Sequence, residues 1–178
     1  EGLGKRPAVV VLVEAASIDL ASLRALEAYL RQGGGVLWVI DSPEAAEALV
    51  RFSALGGAEP ISPIAVDLSG QWRRDANLGI AGGRFDQPIL SVFEGPPRGA
   101  IIDMKFQSVL AGGLVPSAEP LLVFEDGTPA LATRWHGSGR LAVMGTDLAP
   151  QRSDLVKGPV LVTLVHQILR HLSPGIPQ

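Results

Sequence analysis

The stretch Ala8–Ile40, AVVVLVEAASIDLASLRALEAYLRQGGGVLWVI, decides how this chain folds. Its first residues, Ala8–Val13, form an apolar run of strand length, rich in β-branched side chains. Such a run reads as a strand of a parallel sheet, buried on both faces. Asp19 marks a helix start, and Leu20, Leu23, Leu26, Ala28 and Leu30 hold an apolar stripe at helical spacing through Arg31. Gly33-Gly34-Gly35 ends that helix, because glycine enters a left-handed cap without steric cost. A positive φ or a tight cap is expected at Gly34 or Gly35. Val36–Ile40 is the next strand, so the stretch reads as one β-α-β unit with a right-handed crossover.

Working outward, Ser42 and Pro43 read as cap and first turn of a second helix, running to about Phe52 and closed by Gly56-Gly57. Ile61–Leu68 alternates loosely and is a candidate strand. Ser69–Gly99 is broken by glycines and prolines and reads as loop with short pieces of structure. Strands are expected at roughly Ala100–Phe106, Leu121–Glu125 and Ala130–Trp135. Asp126-Gly127 supplies a hairpin turn between the last two. Gly137-Ser138-Gly139 leads to a strand at Leu141–Thr146. A last helix starts near Lys157–Pro159 and runs to Leu172, with Leu161, Leu164, Val165, Ile168, Leu169 and Leu172 on its apolar face. Pro174 and Pro177 end it. Together these elements predict an α/β domain spanning residues 1–178: a mostly parallel sheet, helices on both faces and an antiparallel hairpin near the C-terminus.

The composition narrows the function. The 178 residues are 47% apolar and 19% charged, enough for one full core without cross-links. The net charge is −3, from 15 basic and 18 acidic residues, and no basic run exceeds Arg73-Arg74. That pattern argues against nucleic acid. There is no cysteine, which excludes disulfides, zinc–thiolate sites and a cysteine nucleophile. Gly33-Gly34-Gly35 follows a helix and precedes a strand, the reverse of a phosphate loop. No cofactor and no metal is expected. No segment is long enough to span a bilayer. The chain opens with neither an initiator Met nor a signal peptide, and reads as a segment of a larger protein whose membrane spans lie elsewhere.

Candidate chemistry gathers at strand ends. Asp41 and Asp147 each follow an apolar strand, where parallel α/β sheets form their ligand crevice. With Asp154 they form an oxygen-donor set for a divalent cation, or they cap helices and turns. Ser42 follows a strand and precedes a helix, as an elbow serine would, but lacks the flanking glycines; helix capping is the other reading. His136 completes a conceivable Ser42–His136–Asp147 triad. His166 and His171 stand five apart on one helix and do not share a face. Trp38 and Trp135 sit in strands and are expected to be core or half-buried. Trp72, beside Arg73 and Arg74, is the more exposed aromatic and a candidate partner surface.

The order of motifs resembles a known family. Leu26-Glu27-Ala28-Tyr29-Leu30-Arg31-Gln32-Gly33-Gly34-Gly35-Val36-Leu37 is similar to class I glutamine amidotransferase-like domains. So are Gln87-Pro88-Ile89-Leu90, Asp126-Gly127-Thr128-Pro129-Ala130-Leu131, Gly137–Val143, Thr146-Asp147-Leu148, Ser153-Asp154-Leu155 and Leu164–Leu169. The nearest version belongs to BatA/aerotolerance-type bacterial membrane proteins, which also carry a von Willebrand factor A domain. The resemblance implies a flavodoxin-like three-layer fold on the extracytoplasmic side of the inner membrane. Active members of the superfamily use an elbow cysteine with His and Glu partners. This chain has no cysteine, so that activity transfers to no residue. The expectation is a non-catalytic module for interaction or scaffolding, with other domains of its own protein or envelope proteins as partners. The alternative is a hydrolase, or a small-ligand or metal-binding domain using the strand-end crevice.

Overall fold

The computed structural model describes residues 8–66, 72–96 and 98–173. The first unit forms as its sequence dictates. Strand β1 (Val9–Leu12) leads through a 3-10 turn to helix α1 (Leu20–Arg31) and strand β2 (Gly35–Val39), which pairs with β1 in parallel. Asp19 caps α1 by accepting the Ser22 N–H. The helix closes with a Schellman cap: Gly33 donates to the Leu30 carbonyl and Gly34 to that of Tyr29. The positive φ, 95°, falls on Gly33, one residue before the expected position, because the helix ends at Arg31 and Gly33 is the first residue beyond its cap.

Helix α2 (Pro43–Ala54) follows, then strands β3 (Ile64–Val66), β4 (Trp72–Arg73) and β5 (Ile80–Gly83). Helix α3 (Arg98–Ile102) and strands β6 (Val109–Leu110) and β7 (Gly112–Leu114) come next. Strands β8 (Glu119–Phe124), β9 (Pro129–His136) and β10 (Gly139–Met144) and helix α4 (Val160–Leu172) complete the chain. The expected strand at Ala100–Phe106 is instead the one-turn helix α3 and an isolated bridge at Phe106. A short apolar run cannot be assigned by periodicity alone. Of the candidate strand at Ile61–Leu68, only Ile64–Val66 is extended; Asp67 and Leu68 lie outside the described residues, as do Pro174 and Pro177.

The main sheet has six strands in the order β1-β2-β10-β9-β8-β5. Only β1–β2 and β2–β10 pair in parallel; β10–β9, β9–β8 and β8–β5 are antiparallel. The mostly parallel, flavodoxin-like sheet expected from sequence is therefore corrected to a mixed sheet dominated by antiparallel pairs. The reason is connection length. A two-residue turn joins β9 to β10 and a short loop joins β8 to β9, whereas a parallel return needs a long crossover.

Alternation along β2 and β10 divides the core. Val36, Trp38, Ile40, Leu141 and Val143 pack against Leu23, Leu26 and Leu30 of α1 and Leu49 and Phe52 of α2. Leu37, Val39, Ala142 and Met144 pack against Leu164, Ile168 and Leu172 of α4. Among the described residues no helix is long and apolar enough to cross a membrane.

Candidate functional site

The parallel strands β1, β2 and β10 all end at one margin of the sheet, and an open groove of about 500 Å³ lies there. Val13, Glu14, Asp41, Ser42, Asp147 and Arg152 help to line it. Asp41 follows β2 directly. Its Oδ2 accepts the backbone N–H of Glu14 at 2.7 Å, while its Oδ1 is buried without a hydrogen-bond partner. Glu14 adopts φ 54° and ψ 37°, the left-handed region that L-residues other than Gly, Asn and Asp seldom enter. The Asp41 carboxylate holds that turn in place.

Ser42 Oγ accepts the Ala45 N–H at 3.1 Å, the first-turn bond of an N-cap. Asp147 is buried, with its side chain 4% exposed. It accepts the Ala149 N–H through Oδ1 and pairs with Arg152 Nη1 at 3.1 Å through Oδ2. The groove is thus lined by three carboxylates, one guanidinium and one hydroxyl. The hydroxyl and the Asp147 carboxylate hold backbone turns.

His136 and Asp154 do not join it. His136 ends β9, which runs antiparallel to β10, so it stands at the opposite margin of the sheet, paired through Nε2 with Glu27 at 3.1 Å. The Ser42–His136–Asp147 triad is excluded by this geometry. Asp154 sits in the 3-10 turn before α4 and accepts from Lys157 Nζ at 2.7 Å and the Lys105 N–H at 3.0 Å. These bonds, that from Lys157 first, hold its carboxyl below the usual range. The three aspartates do not converge, and no group of three metal-ligating side chains occurs among the described residues.

The aromatic assignment holds for Trp38, which is fully buried, and reverses for Trp72 and Trp135. Trp72 in β4 is half-buried with its indole N–H shielded, and Arg73 is tied to Asp126. Arg74 is exposed. Trp135 is 59% exposed and carries the Arg140 guanidinium over its ring at 4.0 Å. Strand membership misleads here because α4 lies over β2 and β10 rather than over the end of β9. Sequence reading also missed Glu14 and Arg152. The only signal for Glu14 was a charge closing an apolar run; Arg152 carried none.

No family model and no curated protein sequence matches the chain. Solved structures do resemble it. The cytoplasmic protein STM3548 from Salmonella typhimurium superposes with a TM-score of 0.72 at 14% identity, over 93% of this chain and 72% of that one. The cytoplasmic protein STM1381 from Salmonella typhimurium LT2 gives 0.70 at 12% identity, with the same coverages. A cold-adapted β-galactosidase from Rahnella sp. R3 gives 0.59 at 12% identity, over 96% of this chain but 23% of that one. At such identities the likeness is one of fold alone. The chain shares with these proteins a mixed α/β architecture that occurs both as most of a small protein and as a minor part of a large one.

Proposed function

We propose that this chain is a non-catalytic, amidotransferase-like module of a bacterial cell-envelope protein, acting through protein–protein contact. The observation that carries the reading is the commitment of Ser42. Among the described residues that line the groove, the hydroxyl of Ser42 is spent on a helix cap and no histidine is present. A serine nucleophile needs a base within hydrogen-bond reach. The recurrence of the fold as less than a quarter of a β-galactosidase chain is in keeping with a modular role.

The test is turnover. The purified protein is assayed on p-nitrophenyl esters and for ammonia release from glutamine, beside Ser42→Ala. Rates at the buffer background are expected for both. Turnover that Ser42→Ala abolishes would overturn the reading. Placement on the extracytoplasmic face rests on the resemblance to BatA-type proteins. An alkaline phosphatase fusion at this domain in the full-length protein should be active; an inactive fusion places the domain in the cytoplasm.

A second reading has one observation in its favour. The buried, unpartnered Asp41 Oδ1 borders a groove wide enough for a small ligand. Binding of a small hydrogen-bond donor there without turnover would require Asp41. Protection of the Asp41 region by a ligand, lost in Asp41→Asn, would favour it over the interaction module.

A further inference from the structure

The margin of the sheet opposite the strand-end groove holds a second open pocket, of about 530 Å³. It lies where β9 ends, between the last turn of α1 and the loop that joins α2 to β3. Arg31, Glu59, Pro60, Arg134 and His136 help to line it. Side chains alternate along a strand, so Arg134 and His136 share the face on which Ala132 meets the α1–α2 core. In a chain of net charge −3, this pocket is locally basic.

The guanidinium of Arg134 is buried but poorly matched. Its side chain is 9% exposed. Nη1 donates to the Pro60 carbonyl, a neutral acceptor. The Glu59 carboxylate stands 3.8 Å from Nη2, beyond hydrogen-bond reach, on a side chain that is 88% exposed. Among the described residues no other acceptor meets this guanidinium. A buried charge costs free energy unless hydrogen-bonded counter-charge satisfies it. Arg31 faces the same pocket with its side chain 65% exposed. Its Nε meets Glu27 at 2.6 Å, and Glu27 is shared with His136 Nε2 at 3.1 Å. The carbonyls that end α1 would repel an anion if they were bare. Those of Ala28, Tyr29, Leu30 and Arg31 accept the N–H groups of Gln32, Gly34, Gly33 and Ser138 instead.

We propose that this pocket binds a small oxyanion, a carboxylate or phosphoryl group, with Arg134 at its floor and Arg31 at its mouth. A guanidinium presents paired N–H groups that match two oxygens of either group. Glu59 occupies that edge loosely, and the incoming anion displaces it into solvent. The volume leaves room for the rest of a small molecule. The proposal does not depend on the non-catalytic reading above, since the strand-end groove takes no part in it.

The experiment titrates the wild-type chain with inorganic phosphate and, separately, with acetate, at neutral pH and with sodium chloride holding the ionic strength constant. The readout is the Arg134 Nε–H resonance in nitrogen-15 NMR. The expected result is a saturable shift with a dissociation constant on the order of 1 mM for at least one probe, and the tighter probe identifies the group. Arg31→Gln should weaken binding about tenfold, the worth of one charged hydrogen bond. Glu59→Gln removes the competing charge and should tighten binding about two- to fivefold, the worth of an exposed ion pair. Arg84→Gln, beyond edge strand β5 and paired with Asp86, should leave it unchanged. Shifts that do not saturate with either probe overturn the proposal and leave Arg134 as a brace between β9 and the Pro60 turn. So does binding that Arg31→Gln leaves intact, or that Glu59→Gln fails to tighten. Both substituted side chains are exposed, and the buried Arg134 is left in place, so the fold is retained. Should Arg31→Gln fail to fold, the wild-type and Glu59→Gln titrations decide alone.

Discussion

Replacing Ser42 by alanine removes a single acceptor from the start of α2. The Ser42 Oγ receives the Ala45 N–H at 3.1 Å, and Ala45 is fully buried, so water cannot replace the lost bond. The cost therefore lies in the upper part of the N-cap range, roughly 1–2 kcal/mol. For a chain of this size each kcal/mol moves the melting point by about 2–4 °C, so Ser42→Ala should melt roughly 2–8 °C below the wild type. Asparagine caps helices as well as serine does, and Ser42→Asn should melt within about 1 °C of the wild type. The assay is a thermal melt followed by circular dichroism, supported by urea unfolding at fixed pH. An unchanged melting point in Ser42→Ala would refute the assignment of Oγ to the cap. Equal losses in the alanine and asparagine variants would refute it too, because the asparagine retains the acceptor.

Three further outcomes follow from the packing. A Cβ on Gly35 would lie 2.3 Å from the backbone oxygen of Leu172, so Gly35→Ala must lift α4 from β2; urea unfolding should show a loss of about 2 kcal/mol or more. Trp135→Ala should cost only about 0.5–1 kcal/mol, the worth of its exposed stack on Arg140, whereas Phe52→Ala beneath Trp38 should cost roughly 3–5 kcal/mol. Comparable losses at the two sites would contradict the exposure described for Trp135. Burial, and then repulsion from the Arg140 guanidinium, lower the His171 imidazole to about 4. Between its ordinary value and about 4 the unfolded chain binds the extra proton. Stability is therefore fully present at neutral pH and falls as acid enters that window, by roughly 2 kcal/mol after solvent screening. His171→Gln should flatten the difference between urea midpoints at pH 7 and pH 4.5; an undiminished difference assigns the loss to other groups.

The local signals in the sequence were strong where one short-range rule decided the outcome. Asp19 and Ser42 were legible as caps because capping needs only a side-chain acceptor at the right offset. The Asp126-Gly127 turn was legible because few residues tolerate the φ of 86° that Gly127 adopts. Strand direction was harder, since it depends on which strands become neighbours. β10 sits between β2, far back in the chain, and β9, its immediate predecessor. The tight turns flanking β9 carried the antiparallel answer, but the β-α-β opening drew the whole sheet toward the parallel reading. At the candidate site, Asp41, Ser42 and Asp147 were found together because all three terminate or follow parallel strands. His136 was misplaced for the same reason that the sheet was: a residue at the end of an antiparallel strand stands at the far margin. The exposure of Trp135 depends on which strands the helices lie over, which strand propensity does not encode.

The position of β10 also governs how the chain can assemble. Gly35 meets Arg140 across the central ladder, so the middle of the sheet is the last strand to leave the ribosome. Until then β2 and β9 have no ladder between them in the main sheet, because β10 is the strand that lies between them. Closure across so long a loop is entropically slow, and the waiting fragments are prone to pair wrongly. A chain truncated before Gly139 would thus lose more than one strand; the two half-sheets would be joined only through the short β3–β7 ladder.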